Sequence, residues 1–278
     1  MSITVVQGHS LDYLRCEEMP SDLALTFLDP PFNQGKDYAA HNDNLPDKTY
    51  WRWMTEMCSL THQHTLPGGA VYFMQREKNT ERVLACLREA GWTLQNLIIW
   101  KKKTSPVPST ERYGKAYQVI AYATKGVKKR VFHRLRIAPP RLANEKYERE
   151  TGMYVTDVWD DIRELTSGYF AGDEAIRRPN GERFHKQQAP LALLVCLILS
   201  SSKVGDLVFD PFAGTGTTLI AAKQLGRRAL GVELDPENTA LIHERLNSLR
   251  PADAINKLYE SYQHTEGLAE IWGQALKC

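Results

Sequence analysis

Cysteine is scarce and poorly placed for a structural role: the 278-residue chain has five, Cys16, Cys58, Cys86, Cys196 and Cys278. An odd, scattered set without a Cys-x-x-Cys pair argues against a disulfide framework or a zinc site, and these read as small buried thiols. His62 and His64, two apart on an expected helix, face different ways and make a poor metal pair. Long apolar runs are also missing. The longest, Leu191 to Leu199, is far too short to span a bilayer. The opening Ser2-Ile3-Thr4-Val5-Val6 has no basic region ahead of an apolar one, so no signal peptide is expected and a cytoplasmic location follows. There is no internal repeat and no Gly-Lys-Ser/Thr phosphate cradle, which disfavours a nucleoside triphosphate as ligand.

A large excess of one charge is absent overall, since the net charge is +2, but the balance is uneven. Lys101 to Arg149 carry 14 Lys and Arg against Glu111, Glu145 and Glu148, a surplus of eleven positive charges, so the remainder is net acidic. A field of that size points to a polyanionic partner, with a solvated basic surface as the plain alternative. Aromatic residues lie among the basic ones (Tyr113, Tyr117, Phe132, Tyr147, Tyr154, Trp159), as nucleic-acid surfaces often require.

Seven apolar runs read as strands: Ile3 to Val6, Leu23 to Leu28, Ala70 to Met74, Leu94 to Trp100, Tyr117 to Ala123, Asp206 to Phe209 and Ala229 to Val232. Between them, helical patterns are expected around Leu11 to Cys16, and over Tyr50 to Leu66, Thr80 to Ala90, Pro190 to Ser201, Leu219 to Leu225 and Pro236 to Leu249. That alternation indicates a parallel-rich sheet covered by helices on both faces. Pro67-Gly68-Gly69 is expected to break the chain before a strand, and the polar stretch Asn33 to Pro46 reads as a mobile loop over the site. Trp51 and Trp53 read as core and rim packing. From Lys101 to about His185 the alternation is lost and prolines and glycines accumulate, so this segment reads as a loop-rich insertion.

Two strand ends carry chemistry. The run Leu23 to Leu28 stops at Asp29-Pro30-Pro31-Phe32. Neither proline has an N–H, so the Asp29 carboxylate and the Pro30 carbonyl stand as neighbouring acceptors, suited to the two hydrogens of an exocyclic amino group. Such a grip exposes the nitrogen lone pair, and Phe32 offers a face for a base rotated out of a helix. Taken alone, Asp-Pro-Pro is a common turn. The second strand end is Asp210-Pro211-Phe212-Ala213-Gly214-Thr215-Gly216-Thr217-Thr218, where two glycines let the backbone turn tightly beside a ligand. Seventeen residues after Gly216, Glu233 closes the next strand, where an acid can accept both hydroxyls of a ribose. The pair of motifs favours an adenosine-containing cofactor.

With Gly231-Val-Glu-Leu-Asp235 and Asp157-Val-Trp-Asp160, these motifs make the chain resemble the amino-group DNA methyltransferases of the β class, in which the catalytic motif precedes the cofactor motif. The resemblance runs from Val5 to about Leu246 apart from the basic middle. It implies an α/β fold, a Rossmann-like seven-stranded methyltransferase sheet with an inserted basic target-recognition region, and frequently a homodimer. The expected division is 1–102 and 186–250 for the catalytic and cofactor parts, 103–185 for target recognition with its strand near 117–123, and 251–278 for a helical tail.

The resemblance also implies S-adenosylmethionine as cofactor, with no metal, and double-stranded DNA as partner. Asp29 and Pro30 would hold the target amine, with Pro31 and Phe32 completing the catalytic motif and Phe32 stacking the base. Asp210, Phe212, Gly214, Gly216 and Thr217 would line the cofactor site and Glu233 would hold its ribose. Transfer is then direct, without a covalent enzyme intermediate, and the absence of a Pro-Cys dipeptide agrees with that. Two positions depart from the family pattern. Gly8-His9 replaces Gly-Asp, which moves the adenine contact to a backbone amide or to His9. His185-Lys186-Gln187-Gln188-Ala189-Pro190 lacks the usual lysine at Ala189, which turns the methionine carboxylate to Gln188 or Lys186. Candidate DNA contacts are Arg112, Lys115, Lys128, Lys129, Arg130, Arg134, Arg136 and Arg141.

Asp at the first position of the catalytic motif favours N6-adenine over N4-cytosine as target. A catalytically inactive DNA-binding protein of the same fold, and methylation of RNA or of protein glutamine, are the alternatives. A cognate restriction endonuclease is a candidate partner.

Overall fold

The structure is a computed structural model and describes residues 2–36, 40–103, 110–138, 150–165, 172–185 and 187–273. In chain order the strands are β1 (Ile3–Gln7), β2 (Leu23–Leu28), β3 (Thr65–Arg76), β4 (Thr93–Lys101), β5 (Tyr117–Thr124), β6 (Arg136–Ile137), β7 (Met153–Tyr154), β8 (Val158–Trp159), β9 (Leu207–Asp210) and β10 (Arg228–Glu233). The helices are α1 (Ser10–Leu14), α2 (Asp47–His64), α3 (Thr80–Glu89), α4 (Leu191–Ser201), α5 (Thr217–Gln224), α6 (Pro236–Asn247), α7 (Asn256–Ser261) and α8 (Leu268–Trp272). None of these is long and apolar enough to cross a membrane.

Eight strands form the main sheet in the order β1-β10-β9-β2-β3-β5-β4-β8. This corrects the expected seven: the eighth is β8, two residues from within the basic middle, which pairs parallel with β4. Strands β1, β10, β9, β2 and β3 are mutually parallel, and β5 alone runs against its neighbours β3 and β4. Every residue of β2 and β9 is buried, as a central parallel strand covered on both faces demands. Alternate side chains enter two cores. Leu25, Phe27, Tyr72 and Val208 face the layer of α4 and α5, while Leu28, Val71, Phe73 and Phe209 face α1, α2 and α3.

Pro67-Gly68-Gly69 does not break the chain. These residues lie inside β3, where Gly68 takes φ +73° and the β2/β3 register shifts between Leu23 and Leu25. A Cβ on Gly68 would come within 2.5 Å of the Arg130 backbone nitrogen, so a bulged glycine lets the chain after β5 cross here.

From β2 the chain leaves through α2 to β3 on one side, and from β9 it leaves through α5 to β10 on the other. The crossovers diverge between β2 and β9, which opens a crevice at their carboxyl ends. Asp29 and Asp210 stand at that crevice.

Candidate active site

A cavity of ≈ 410 Å³ fills the crevice, and its lining includes both expected motifs: Asp29 and Pro31 from the end of β2, and Asp210, Phe212, Gly214 and Thr217 from the turn after β9. Glu233, His9 and Gln188 also line it. Residues almost two hundred positions apart therefore share one chamber of a size suited to a small ligand.

The cofactor side is built around two carboxylates. Asp210 accepts from the Phe212 N–H at 3.0 Å and from the Thr218 hydroxyl at 2.5 Å, which ties the turn to the first residues of α5. Burial pushes its carboxyl up to about 7 against these two hydrogen bonds. Glu233 Oε2 accepts from the Gly214 N–H at 2.7 Å, and Oε1 from the Asp235 N–H at 2.9 Å and Asn238 at 3.2 Å. Burial raises the Glu233 carboxyl too. The Gly214 amide thus spans from the glycine turn to the end of β10. The two glycines differ in role. Gly214 lines the cavity, whereas a Cβ on Gly216 would meet Ile242 at 2.8 Å, so Gly216, at φ +81°, serves the close packing of α5 against α6 and lies outside the cavity lining.

Three features of this side escaped the sequence. Trp53 reads as packing but lines the cavity, its ring edge-on to Phe212 at 5.7 Å, with Nε1 buried and without a partner among the described residues. Its neighbour Trp51 is core, with Nε1 donating to Asp47. Arg245, 1% exposed, donates to the Thr215 carbonyl in the glycine turn and is held by a paired contact with Asp253 of the tail. Ser10 donates to the Pro211 carbonyl from the start of α1. A polar residue buried beside a turn has no local sequence signal.

At the end of β2, Asp29 Oδ1 is buried and has no hydrogen-bond partner among the described residues. Burial raises the Asp29 carboxyl well above the ordinary carboxylate range, and the Asp210 charge adds to this while Lys36 opposes it. Phe32 is 2% exposed, belongs to the α4-side core and is not among the cavity-lining residues, so the ring expected to stack a base is packed inside. The following loop is tied down where it is described, which corrects its reading as mobile. Asp43, 2% exposed, accepts the N–H groups of Asn33, Gln34 and Lys36 at 2.7, 3.2 and 3.0 Å. Asn33, at φ +51°, exchanges two side-chain hydrogen bonds with the Leu45 backbone.

Gln188 and His9 line the cavity, but Gln188 is committed: its oxygen accepts from the Ile176 N–H and its amide nitrogen donates to the Glu174 carbonyl, each at 3.0 Å. Lys186 lies outside the described residues. Arg183 also lines the cavity, and its Nε and Nη2 have no partner among the described residues.

The basic middle does not form one surface. Because β5 runs antiparallel to β3, its start lies at the carboxyl edge near Asp29 and its end at the opposite edge. Arg112 and Lys115 precede β5 on the near edge, with Lys115 3.3 Å from Glu77. Lys128, Lys129 and Arg130 follow β5 on the far edge, and Arg130 forms a paired contact with Asp206 at 2.6 Å through both nitrogens. These three lie on the edge opposite Arg112 and Lys115. Arg134 and Arg136 lie over the Tyr154 ring at 4.8 and 4.3 Å. Arg141 lies outside the described residues. The sequence reading missed Lys36, Arg76 and Lys102 at the near edge: burial lowers the Lys36 and Lys102 ammonium groups, the charge of Arg76 adds to both, and that of Lys102 adds at Lys36.

A family model described as DNA methylase, of the N6/N4 methyltransferase group, matches residues 23–244. The type II methyltransferase M.HpaI of Haemophilus parainfluenzae is 30% identical over 233 residues, 84% of this chain and 70% of that protein. The DNA adenine methyltransferase YhdJ of Escherichia coli is 27% identical, over 88% of this chain and 82% of its own length. Among solved structures, the cytosine-N4-specific PvuII DNA methyltransferase shares the fold at a TM-score of 0.66 with 19% identity, covering 97% of this chain and 94% of that one. M1.HpyAVI bound to S-adenosylmethionine does so at 0.56 with 22% identity, covering 88% and 99%. The matched span contains both strand ends of the crevice, and the chain belongs to the DNA methylase family.

Proposed function

We propose that the protein is a site-specific DNA methyltransferase that moves a methyl group from S-adenosylmethionine to the exocyclic N6 of adenine in a short sequence, after the base has left the helix. The observation that carries the reading is Asp29 Oδ1, buried and without a partner among the described residues, in the same cavity as Glu233. The residues present suit the cofactor. Glu233 offers a carboxylate for ribose hydroxyls, Trp53 and Phe212 offer rings, and Thr217 Oγ1 is a second buried atom without a partner among the described residues. Arg183, with Nε and Nη2 without a partner among the described residues, remains for the carboxylate end.

When bound, the cofactor supplies an electrophilic methyl group on a positively charged sulfur. Asp29 and the Pro30 carbonyl accept the two N–H groups of the target amine and aim its lone pair at that carbon. In the transfer the new C–N bond would form as the C–S bond broke with its electrons left on sulfur, and Asp29 would take the proton shed by nitrogen. A carboxylate with raised proton affinity suits that last step.

Adenine rather than cytosine is favoured by Asp at position 29 and by the adenine-specific relative. The near-edge cluster of Lys36, Arg76, Lys102, Arg112 and Lys115 is the surface proposed for double-stranded DNA. A homodimer, a cognate restriction endonuclease, a cytoplasmic setting and the division at 102, 185 and 250 belong to the same reading. The test is a nucleoside digest of unmethylated DNA treated with protein and cofactor. N6-methyladenine is expected; N4-methylcytosine alone overturns the choice of base. No methylation, with cofactor still bound in calorimetry, points to an inactive DNA-binding protein.

A further inference from the structure

Pro30 and Pro31 leave the catalytic turn without two successive N–H groups, so it cannot be fastened there by its own donors. Its first backbone hold must come through a carbonyl, from outside. Tyr50, in the first turns of α2 and 1% exposed, donates its hydroxyl to the Pro31 carbonyl at 2.7 Å. Gln75, near the end of β3 and fully buried, donates Nε2 to the Tyr50 oxygen at 2.9 Å. The Gln75 oxygen in turn accepts from the Arg76 N–H at 2.9 Å.

This chain has one direction. The Arg76 amide can only donate, so Gln75 must present its oxygen there and its nitrogen to Tyr50. Tyr50 then accepts from Gln75, and among the described residues its single O–H has only the Pro31 carbonyl to reach. Burial raises the Tyr50 phenol well above its ordinary range, so the hydroxyl keeps its proton across any working pH.

We infer that Tyr50, oriented by Gln75, is the positioning residue that anchors the Pro31 carbonyl on α2 and so sets the Pro30 carbonyl and Asp29 for the amine. The inference rests on the methyltransferase reading above. A proline that precedes a proline is held extended, so Pro30 joins Asp29 to Pro31 with little torsional freedom. Fixing the Pro31 carbonyl against α2 therefore limits the freedom of the Pro30 carbonyl and of Asp29 behind it. Neither Tyr50 nor Gln75 is a cavity-lining residue, which separates this role from contact with a ligand.

The test uses the full chain, unmethylated genomic DNA and cofactor carrying a labelled methyl group. Single-turnover rates for wild type and Tyr50→Phe are normalised to the sites that bind cofactor in calorimetry. Loss of aim without loss of binding predicts a rate lower by roughly tenfold to a hundredfold, since displacements of about 1 Å cost on that scale. Affinities for cofactor and DNA should stay within about twofold, a split that a loss of folded protein alone does not produce. If Tyr50→Phe folds poorly because the Gln75 amide is stranded, Tyr50→Phe with Gln75→Leu removes both polar groups and should be equally slow. Wild-type rates in either folded variant overturn the inference while leaving the function intact. A wild type that methylates no DNA overturns the function and this inference with it, because a turn with no amine to hold needs no such anchor.

Discussion

Asp29 and Asp210 close adjacent parallel strands, and the charge of Asp210 raises the proton affinity of Asp29 beyond what burial alone does. Only the ionised carboxylate can accept both an N–H and a proton, so the methylation rate should rise with pH through a range above that of an ordinary aspartate. Asp210→Asn removes the neighbouring charge and lowers the Asp29 carboxyl, so the profile should move to lower pH. Single-turnover rates across pH at saturating cofactor test this; an unshifted profile would show that the two carboxylates are not coupled.

The Asp210 carboxyl also ties stability to pH. Its folded value of about 7 lies above its ordinary 3.8, so the native state holds the proton more tightly than the unfolded chain. Its contribution is therefore greatest below about pH 4, is lost as pH rises towards 7, and is constant above that. The span amounts to a few kcal/mol at most, since each tenfold change in proton affinity is worth about 1.4 kcal/mol. Asp210→Asn should show a smaller fall in Tm between pH 5 and 8 than wild type, read by thermal melts without cofactor.

Glu233 both holds the glycine turn and lines the cavity. Glu233→Gln keeps an oxygen for the Gly214 amide and should keep the fold; Glu233→Ala strands that N–H and should lose about 1–3 kcal/mol of stability. Calorimetry should find S-adenosylmethionine bound at least about tenfold more weakly by the alanine variant, the loss of one to two hydrogen bonds to a charged group. Equal affinity in the alanine variant and wild type removes Glu233 from the ribose.

Seven strands of the main sheet were legible because buried parallel strands are continuous apolar runs, and β2 and β9 are buried throughout. Strand β8 was not, since two residues carry no period. The two motifs were legible because prolines and glycines act locally, but the use of Gly216 was not: Ile242, which crowds it, comes from another helix. Composition marked residues 33–46 as a mobile loop and could not show how it is tied down, which depends on Asp43 folding back over Asn33. Tyr50 and Gln75 look like ordinary helix and strand residues, and their joint contact with Pro31 exists only once α2 crosses from β2 to β3.

Asp43→Ala removes the acceptor for three backbone N–H groups that follow the catalytic turn. Those amides can turn to water as the loop loosens, so the loss of stability should be modest, about 1–3 kcal/mol. Catalysis should suffer more than stability, because Asn33 directly follows the motif. Limited proteolysis should cut near residues 33–45 in the variant before wild type, and S-adenosylmethionine binding should change little. A variant as protease-resistant as wild type would falsify the clamp.

The reversed direction of β5 gives a prediction about DNA that net charge alone does not. An eight-residue strand spans roughly 25 Å, so Lys128 and Lys129 lie more than two Debye lengths from the near edge at about 0.1 M salt. Lys128→Glu with Lys129→Glu and Arg112→Glu with Lys115→Glu change the net charge equally but on opposite edges. If DNA approaches the carboxyl edge, the second pair should weaken binding and lower the slope of log affinity against log salt by up to about 1.8, the value for two lost phosphate contacts. The first pair should leave that slope within error of wild type. Fluorescence anisotropy on one duplex across a salt series separates them, and the opposite ranking would move the DNA to the far edge, away from Asp29.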